Sequence, residues 1–573
     1  MAGGPASLAR LPGGDYLLAL GVGARRLLAY EWTESMLHRW MLASPRPRGL
    51  AIGGRDLRPA DPVAGLKILS GTFDLGGAVL ETGARGDPWD RPSPSKRFAL
   101  ALHRLDWMRD LLAVGPDANA EGLRLVLDWS RVFGRWNAFS WSPPVLGRRV
   151  FNLACCIRTI SPGAADAERA LIALDLARQA RHLLSTLQKP QGVAEGAVAV
   201  ALAGTALSED VGRKLMDRGL ARLVKALPET VLPDGGHASR NPRAALELLY
   251  DLKVLDEALE QHELHPPEEV LRAVDRLAAT VRFFNLADGS LPDLQGSEAV
   301  PPAYVAAALG EEGGGPSPGG RNGFQRLDGR GLQVIVDAAA PAQGGWSLTA
   351  CAQPLAIEVL AHGRRLITAC GPPPPDGGFP GLRQVDAAST LILGEANCGG
   401  PATGLRATAM GARLLGGPQV VDFRRQEAEG GLWLETSHDG WEARFHLRHD
   451  RRLFVSQLAD ELRGEDRLTP VGDSAAAEAG RRFIPFVIRF HLHPDVTASL
   501  ARDGKSALLR PPGDHVGWRL RSDAREMAIE DSAYFQAGVP RRAQQVVLRG
   551  QARADAGATV RWKLAVAEEL PPH

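Results

Sequence analysis

The sequence predicts a multidomain α+β protein in which a helical half precedes a β half. Apolar residues recur at three- and four-residue spacing between about 98 and 309, which is the period of helices with one buried face. Alternating or continuous apolar runs of strand length, separated by glycine-containing turns, follow between about 323 and 570. The length of 573 residues also exceeds what one core usually accommodates. The order of the two patterns therefore predicts paired helices stacked around an axis, followed by stacked antiparallel sheets.

Three domains are predicted from these patterns. Residues 1–95 form a mixed segment that ends in a proline-rich linker and contains a helix from Arg25 to Leu42. Residues 96–310 form the helical domain, in which several segments begin with proline or acidic residues, as the first turns of helices do. Residues 323–570 form the β domain. The glycine- and proline-rich stretch 310–322 separates the last two.

Charge and cysteine content exclude several classes of protein. The 67 Lys and Arg residues against 66 Asp and Glu give a net charge of +1, so no whole-surface field attracts nucleic acid or an anionic membrane. A local basic cleft for a polyanion stays possible. The five cysteines are odd in number and form no CxxC pair, which argues against a disulfide framework or a thiolate zinc site.

Membrane segments are not predicted. The apolar stretch near the N-terminus is interrupted by Asp15 and followed by Arg25 and Arg26, which is atypical of a signal peptide. No uncharged apolar run of spanning length occurs elsewhere. The sequence therefore predicts a soluble protein without a membrane span, and a cytoplasmic location.

The loop 232–242 between two predicted helices carries a set of residues suited to acid–base chemistry. His237, Arg240 and Asn241 follow two adjacent glycines, whose backbone freedom allows side chains to project from a tight turn. An imidazole serves as acid or base, and a guanidinium or amide neutralises a carboxylate. The alternative is a plain turn in which Ser239 or Asn241 caps the following helix. The spacing leaves both interpretations open.

The ordered series of motifs resembles the heparinase II/III-like polysaccharide lyases. The motifs LPDGGHASRNP (232–242), DGSLPDLQGSE (288–298) and LAIEVLAHGRRLITACG (355–371) occur in the family's order, and the likeness extends from about residue 70 to the C-terminus. The resemblance implies an (α/α) toroid followed by an antiparallel β-sandwich. It also implies a carbon–oxygen lyase that cleaves an acidic, uronate-containing polysaccharide by β-elimination. Because family members are often exported, the cell envelope or periplasm is the alternative compartment.

The resemblance also implies roles for particular residues. Elimination removes the proton at C5 of a uronate and expels the C4 oxygen, so it needs a base, an acid and a group that neutralises the carboxylate. The implied catalytic residues are His237, Asn241 and Tyr304, and the implied substrate-binding residues are Arg240, Asp288, Gln295 and Glu298. Tyr304 has the alternative of packing in the last helix before the junction.

The sequence departs from the family at a zinc site of the sandwich. The matching positions hold Cys351, Ala369 and Ala388, and an alanine side chain cannot bind a metal ion. No metal or other cofactor is therefore expected, and the departure puts catalytic turnover in doubt.

Two further functions stay open beside the lyase. One is a non-catalytic protein that binds a glycan or assembles an envelope polysaccharide through a degenerate lyase site. The other is a hydrolase on the same toroid, which requires two carboxylates flanking the sugar. Asp234, Asp288, Asp293 and Glu298 are available for such a pair.

Overall fold

A computed structural model describes residues 14–188, 191–310, 319–374, 378–428, 430–472, 482–513 and 516–567. Most of the predicted junction at 310–322 lies outside these residues. The chain divides into two compact units. The first comprises 1–233, 246–278 and 404–410, and the second comprises 234–245, 279–403 and 411–573. The domain limits drawn from the sequence stay predictions.

In the residues that the structure describes, the strands of the first unit form one short β-hairpin, β1 (Thr72–Leu75) and β2 (Ala78–Glu81), and the remaining elements are helices. Its helices are α1 (Gly14–Glu34), α2 (Met36–Ala43), α3 (Pro62–Leu69), α4 (Lys96–Arg104), α5 (Met108–Leu112), α6 (Pro116–Phe133), α7 (Pro143–Ile160), α8 (Asp166–Thr186), α9 (Val193–Thr205), α10 (Glu209–Thr230) and α14 (Gly404–Met410), with α11 (Pro242–Gln261) and α12 (Glu268–Phe284) for most of their length. Helices α1 and α2 confirm the helix predicted from Arg25 to Leu42, although the structure divides it at Ser35.

Helix α9 lies at the centre of the first unit. It packs against α7, α8 and α10, and almost all of its residues are buried. Its sequence is rich in alanine and glycine, so neighbouring backbones approach closely. A Cβ at Gly204 would lie 2.4 Å from the main-chain nitrogen of Met216 in α10, which only glycine permits. No helix among the described residues is both long enough and apolar enough to cross a membrane.

The second unit contains the antiparallel sheets. Its strands are β3 (Gly319–Arg321), β4 (Phe324–Asp328), β5 (Leu332–Asp337), β6 (Ile357–Ala361), β7 (Arg364–Thr368), β8 (Leu391–Leu393), β9 (Gly399–Pro401), β10 (Leu414–Gly416), β11 (Val421–Ala428), β12 (Gly431–His438), β13 (Leu447–Ser456), β14 (Glu461–Pro470), β15 (Phe483–Leu492), β16 (Thr497–Leu500), β17 (Ser506–Arg510), β18 (Trp518–Ser522), β19 (Glu526–Gln536), β20 (Val539–Arg553) and β21 (Ala558–Val566). Two short helices, α13 (Pro302–Leu309) and α15 (Glu442–Phe445), also belong to this unit.

Two large sheets form in the described part of this unit. One has the strand order β11-β12-β13-β14-β21-β18-β17-β16, and the other has the order β19-β20-β15-β7-β6-β5-β4-β3, with β8 paired to β15. Strands β13 and β14 of the first sheet alternate buried and exposed residues, whereas β5 and β6 of the second sheet are buried throughout. The apolar faces of both sheets contribute to one hydrophobic core, which is the packing of a β-sandwich. The predicted fold class is confirmed.

Candidate functional site

Three segments of the second unit meet around the loop singled out in the sequence. The loop 234–245 contacts the loop 288–298, because the main-chain N–H of Arg243 donates to Ser297 Oγ at 3.2 Å and Arg243 forms an ion pair with Glu298. Gly296 adopts a positive φ of 74°, and a Cβ there would lie 3.3 Å from the carbonyl oxygen of Thr349. The structure therefore places these two motifs together, with the segment 344–351 beside them.

His237 is buried rather than projected. Its side chain is 2% exposed, and its ring packs edge-on against Trp346 with 5.4 Å between ring centroids. Nδ1 lies 2.7 Å from Ser239 Oγ, and the main-chain N–H of Ser239 donates to the same nitrogen at 3.2 Å. The two glycines allow the loop to fold inwards, since a Cβ at Gly236 would lie 2.3 Å from the side chain of Asn322. The expectation that the glycine pair exposes the imidazole is wrong.

Asn241 caps helix α11, which begins at the next residue. Its Oδ1 accepts a hydrogen bond from the main-chain N–H of Ala244 at 3.1 Å. This is the cap that the sequence offered as the alternative to a ligand role. Asn241 is half-buried, and its amide nitrogen lies beside Gly296 of the other loop, 3.5 Å from where a Cβ would stand there.

Arg240 makes structural contacts within the protein, and its role in substrate binding stays a prediction. The side chain is 6% exposed and lies over the ring of Phe324. The guanidinium donates to the carboxylate of Asp337 at 2.5 Å and to the carbonyl oxygens of Asn322, Gly323, Ala339 and Ala340. A guanidinium has five N–H donors, and all five are used by these bonds. No donor is left for a substrate carboxylate.

Gln295 likewise makes its contacts within the protein, and its role in substrate binding also stays a prediction. The side chain is 2% exposed. Nε2 donates to Asp337 Oδ2 at 2.7 Å and to the carbonyl oxygen of Cys351 at 3.0 Å, while Oε1 accepts from the main-chain N–H of Cys351 at 3.1 Å. Arg240 and Gln295 thus meet on the two oxygens of Asp337, which ends strand β5 and fixes both loops.

Asp288, Glu298 and Tyr304 lie nearer the surface. Asp288 accepts from the main-chain N–H of Ser290 at 2.9 Å and from Arg365 Nε at 2.8 Å. Glu298 holds Arg243 and also accepts from the main-chain N–H of Ala537 at 3.2 Å. Tyr304 is half-buried in helix α13, the position that the sequence gave as its alternative to a catalytic role.

A buried network around Asp293 was missed in the sequence. Asp293 Oδ2 accepts from the Tyr534 hydroxyl at 2.8 Å and from Arg365 Nη1 and Thr368 Oγ1, each at 3.0 Å. Its main-chain N–H donates to Glu358 Oε1 at 2.6 Å. These bonds attach the loop 288–298 to strands β6, β7 and β19. Burial, followed by the nearby charge of Asp293, raises the pKa of Glu358 to about 8.

The same network bears on the hydrolase hypothesis. Asp293 and Glu358 are a close pair of carboxyl groups, but they are 2% and 1% exposed. A hydrolase needs its two carboxyl groups on either side of a bound sugar. A pair enclosed within the protein has no such room.

The residues that match the family's zinc positions do not fit a zinc ion. Cys351, Ala369 and Ala388 are buried, and two of the three have only a methyl side chain. Burial, the largest effect, raises the pKa of the Cys351 thiol to about 12, which disfavours the thiolate that binds zinc. Within the described residues, no group of three or more His, Cys, Asp or Glu side chains is arranged to hold a metal ion.

The first unit contains a second network that the sequence did not reveal. Arg58 and Arg148 both contact Asp251 in helix α11, at 2.6 and 2.8 Å. Arg58 also pairs with Glu247 at 2.9 Å and lies over the ring of Tyr250. Asp251 and Tyr250 are fully buried, so the network joins the segment around Arg58 to helices α7 and α11.

Comparisons with known proteins agree with this architecture. The Heparinase II/III-like, C-terminal family matches residues 313–563. The FtsZ-localized protein C of Caulobacter vibrioides (strain NA1000 / CB15N) is 48% identical over 577 residues, covering 99% of this chain and 100% of the relative. The chain belongs to the heparinase II/III-like family. The sequence-based identification of the family is confirmed.

Solved structures show the same fold at low identity. Heparinase III superposes with a TM-score of 0.64 at 13% identity, covering 86% of this chain and 81% of the other. The heparan sulfate lyase HepC from Pedobacter heparinus gives a TM-score of 0.56 at 16% identity, covering 96% and 89%. This family member therefore has a polysaccharide-lyase fold, with an N-terminal helical region and C-terminal antiparallel sheets.

Proposed function

We propose that this heparinase II/III-like protein binds an acidic, uronate-containing glycan beside the loops 234–245 and 288–298 without cleaving it. The observation that carries the proposal is the state of the two residues best suited to catalysis. His237 is 2% exposed, and all five donors of Arg240 are bonded to protein acceptors. The lyase fold supports a glycan as ligand, and these two residues argue against elimination.

The chemistry of elimination explains why these residues matter. The developing enolate needs a positive or hydrogen-bonding partner at the carboxylate, and the base must reach the C5 proton within hydrogen-bonding distance. Arg240 has no donor to offer the carboxylate, and the imidazole of His237 is enclosed by its own loop and Trp346. The zinc-site residues Ala369 and Ala388 supply no metal ligand, so the proposal includes no cofactor.

Binding requires only exposed polar groups, and the same loops provide them. Arg243 is 40% exposed at its side chain, and its partner Glu298 accepts other hydrogen bonds too. Asn241 is half-buried, as are two aromatic residues outside these loops, Trp346 in the segment 344–351 and Tyr304 in helix α13. A cation, an amide and an aromatic ring are the groups that recognise a carboxylate, a hydroxyl and the apolar face of a sugar.

One experiment separates binding from catalysis. The purified chain is incubated with heparan sulfate, heparin and alginate, while calorimetry records binding and ultraviolet absorbance records the unsaturated uronate that elimination creates. We expect heat of binding to at least one polymer and no rise in absorbance. A sustained rise in absorbance restores the lyase function and overturns the proposal.

A variant pair locates the binding site. Arg243→Ala should weaken glycan binding at least tenfold, because it removes an exposed cation between the two loops. Arg272→Ala is the matched control, since Arg272 is also an exposed arginine paired with a glutamate, Glu268. If the two variants bind the glycan with equal affinity, the binding site does not lie at these loops.

We also propose that this protein localises with FtsZ. The support is the relative named FtsZ-localized protein C, which is 48% identical over 99% of this chain. A fluorescent fusion of the full chain, imaged together with labelled FtsZ in the cells that produce it, should show coincident signals. A uniform distribution in cells with assembled FtsZ would contradict the proposal.

A further inference from the structure

The outer face of the sheet β11–β12–β13–β14–β21–β18–β17–β16 carries an open groove in the second unit. Its volume is about 800 Å³, which is within the range of ligand pockets, roughly 300–1,000 Å³. Six of its lining residues are cationic, against three carboxylates. The cations are Arg452, Arg463, Lys505, Arg521, Arg561 and Lys563, and the carboxylates are Glu465, Asp503 and Asp523.

One row of this groove places like charges directly opposite one another. Arg463 in β14 pairs in register with Lys563 in β21, and Lys563 pairs with Arg521 in β18. Like charges at directly opposed positions destabilise a sheet. Glu461 forms ion pairs with Arg463 and Lys563, so one carboxylate serves two of the three cations. A bound anion would relieve the remaining repulsion.

The same row continues into aromatic side chains. Phe454 in β13 lies opposite Arg463, and Trp433 in β12 lies opposite Phe454. Adjacent strands are roughly 4.8 Å apart, so the five positions span about 19 Å across the sheet. The rings of Trp433 and Phe454 lie 4.7 Å apart between centroids at a tilt of 43°, and the guanidinium of Arg452 lies 4.4 Å from the Trp433 ring centroid. The indole is half-buried and lines the groove.

The carboxylates of the groove select among anionic ligands. Glu465 lies beside the row, where it pairs with Arg561 at 2.7 Å. A ligand with negative charge at every unit, such as a nucleic acid, would be repelled by Glu465, Asp503 and Asp523. An acidic oligosaccharide alternates anionic groups with hydroxyls, and carboxylates accept hydrogen bonds from hydroxyls. An indole ring provides a platform for the apolar face of a sugar.

We propose that this groove is a second binding site for acidic oligosaccharides, separate from the loops 234–245 and 288–298. The cations of the row bind the uronate carboxylates, the three carboxylates accept hydrogen bonds from hydroxyls, and Trp433 contacts a sugar ring. The choice of a glycan over other anions rests on the proposed function, whereas the cationic row is a property of the sheet itself.

The test uses calorimetry on the full chain with an unsulfated octasaccharide in which glucuronate alternates with uncharged N-acetylglucosamine. The groove variant is the triple substitution Arg463→Ser, Lys563→Ser and Arg521→Ser. The control replaces three exposed arginines on or next to β19 and β20 of the other sheet, Arg525, Arg541 and Arg553, by serine. We expect two binding sites in the wild type and the control, and one in the groove variant, with the lost site weakened at least tenfold.

The outcomes separate this inference from the proposed function. The groove inference is overturned if the groove variant still has two binding sites. It is also overturned if the wild type has one site that only Arg243→Ala removes. Either result leaves the proposed function standing. One wild-type site that only the groove variant removes supports the groove and overturns the loop site. Absence of all octasaccharide binding overturns both.

A second probe tests the class of ligand. An eight-residue poly-glutamate peptide is titrated in parallel. Binding of the peptide to the groove at equal or higher affinity than the octasaccharide overturns the assignment to a glycan. The unfolding midpoint of the groove variant should match that of the wild type, because substitutions at exposed positions change stability little, and this match confirms that the variant is folded.

Discussion

The two faces of strands β13 and β14 carry the same charged residue types in opposite surroundings. On the inner face, Arg451 Nε contacts Asp466 Oδ1 at 2.7 Å, and both side chains are 0% exposed. On the outer face, the neighbouring Arg452 contacts Glu435 at 3.0 Å, with side chains 50% and 46% exposed. One step along the chain therefore converts a buried ion pair into a solvated one.

The inner pair belongs to a closed network. His449 Nε2 lies 2.8 Å from Asp466 Oδ1, Trp562 Nε1 donates to Asp466 Oδ2 at 2.9 Å, and His438 Nε2 lies 3.2 Å from His449 Nδ1. Burial by itself raises the pKa of Asp466. Arg451 and His449 lower that pKa by more than burial raises it, so the net pKa lies below the ordinary value. The inner charges hold the sandwich together, whereas the outer charges are free to exchange partners with a ligand.

The largest effect is expected from Asp466→Asn. The substitution keeps the shape but leaves Arg451 buried without its counter-charge, so the free energy of unfolding should fall by about 3–5 kcal/mol. Chemical denaturation measures it. Glu465→Gln, one residue away on the outer face, is the control and should change the value by about 1 kcal/mol or less. If both variants lose a similar free energy of unfolding, the inner and outer faces do not differ as described.

The loop 234–245 repeats the contrast with Arg240 and Arg243. Arg240→Gln should lower the free energy of unfolding by about 3 kcal/mol, because several buried carbonyl acceptors lose their donor. Arg243→Gln should leave stability within about 1 kcal/mol and instead weaken glycan binding. Denaturation and calorimetry on the same two preparations measure both effects. A stable Arg240→Gln protein would contradict the structural role of Arg240.

Acidification should destabilise the interior of the sandwich. Burial lowers the pKa of His491 to about 4, below the ordinary value of 6.5. As the pH falls, His491 therefore binds a proton in the unfolded chain before it does so in the folded protein. The contribution of His491 to the free energy of unfolding is present above about pH 6.5 and is lost as the pH falls towards 4. The shift corresponds to roughly 3 kcal/mol from this residue. Denaturation of wild type and His491→Gln across this range should show a shallower loss in the variant, whereas exposed His265→Gln should follow the wild type.

The smallest effect is expected from the outer ion pair itself. A double-mutant cycle on Arg452→Ala and Glu435→Ala should give a coupling energy of about 1 kcal/mol or less at low salt. Raising the salt to about 1 M should remove most of it, since the Debye length then falls to roughly 3 Å. A coupling that is larger and independent of salt would mean that the outer face is not solvated.

Local patterns were enough to predict much of the fold. The helical period of Arg25 to Leu42 predicted α1 and α2, and the apolar run at 355–371 predicted β6 and β7. Period-two alternation also predicts that Arg451 and Arg452 point to opposite faces. These predictions succeed because the period of a helix or strand is a property of consecutive residues.

The candidate site was predicted only in part. The motifs 232–242 and 288–298 meet, and the cap by Asn241 was among the alternatives. The roles of Arg240 and Gln295 were missed because their common partner Asp337 lies 97 and 42 positions away along the chain. Asp337 at the end of a predicted strand was the available signal, but its position alone names no partner.

The sequence by itself determined the order of helices and strands, the alternation of faces and the family. Those properties depend on neighbouring residues and on motifs that stay recognisable without coordinates. Tertiary structure alone decided which charged residues are buried and which face solvent, because burial depends on segments far away in the chain. For His237, Arg240 and Gln295, that decision buries side chains whose exposure the sequence alone left open.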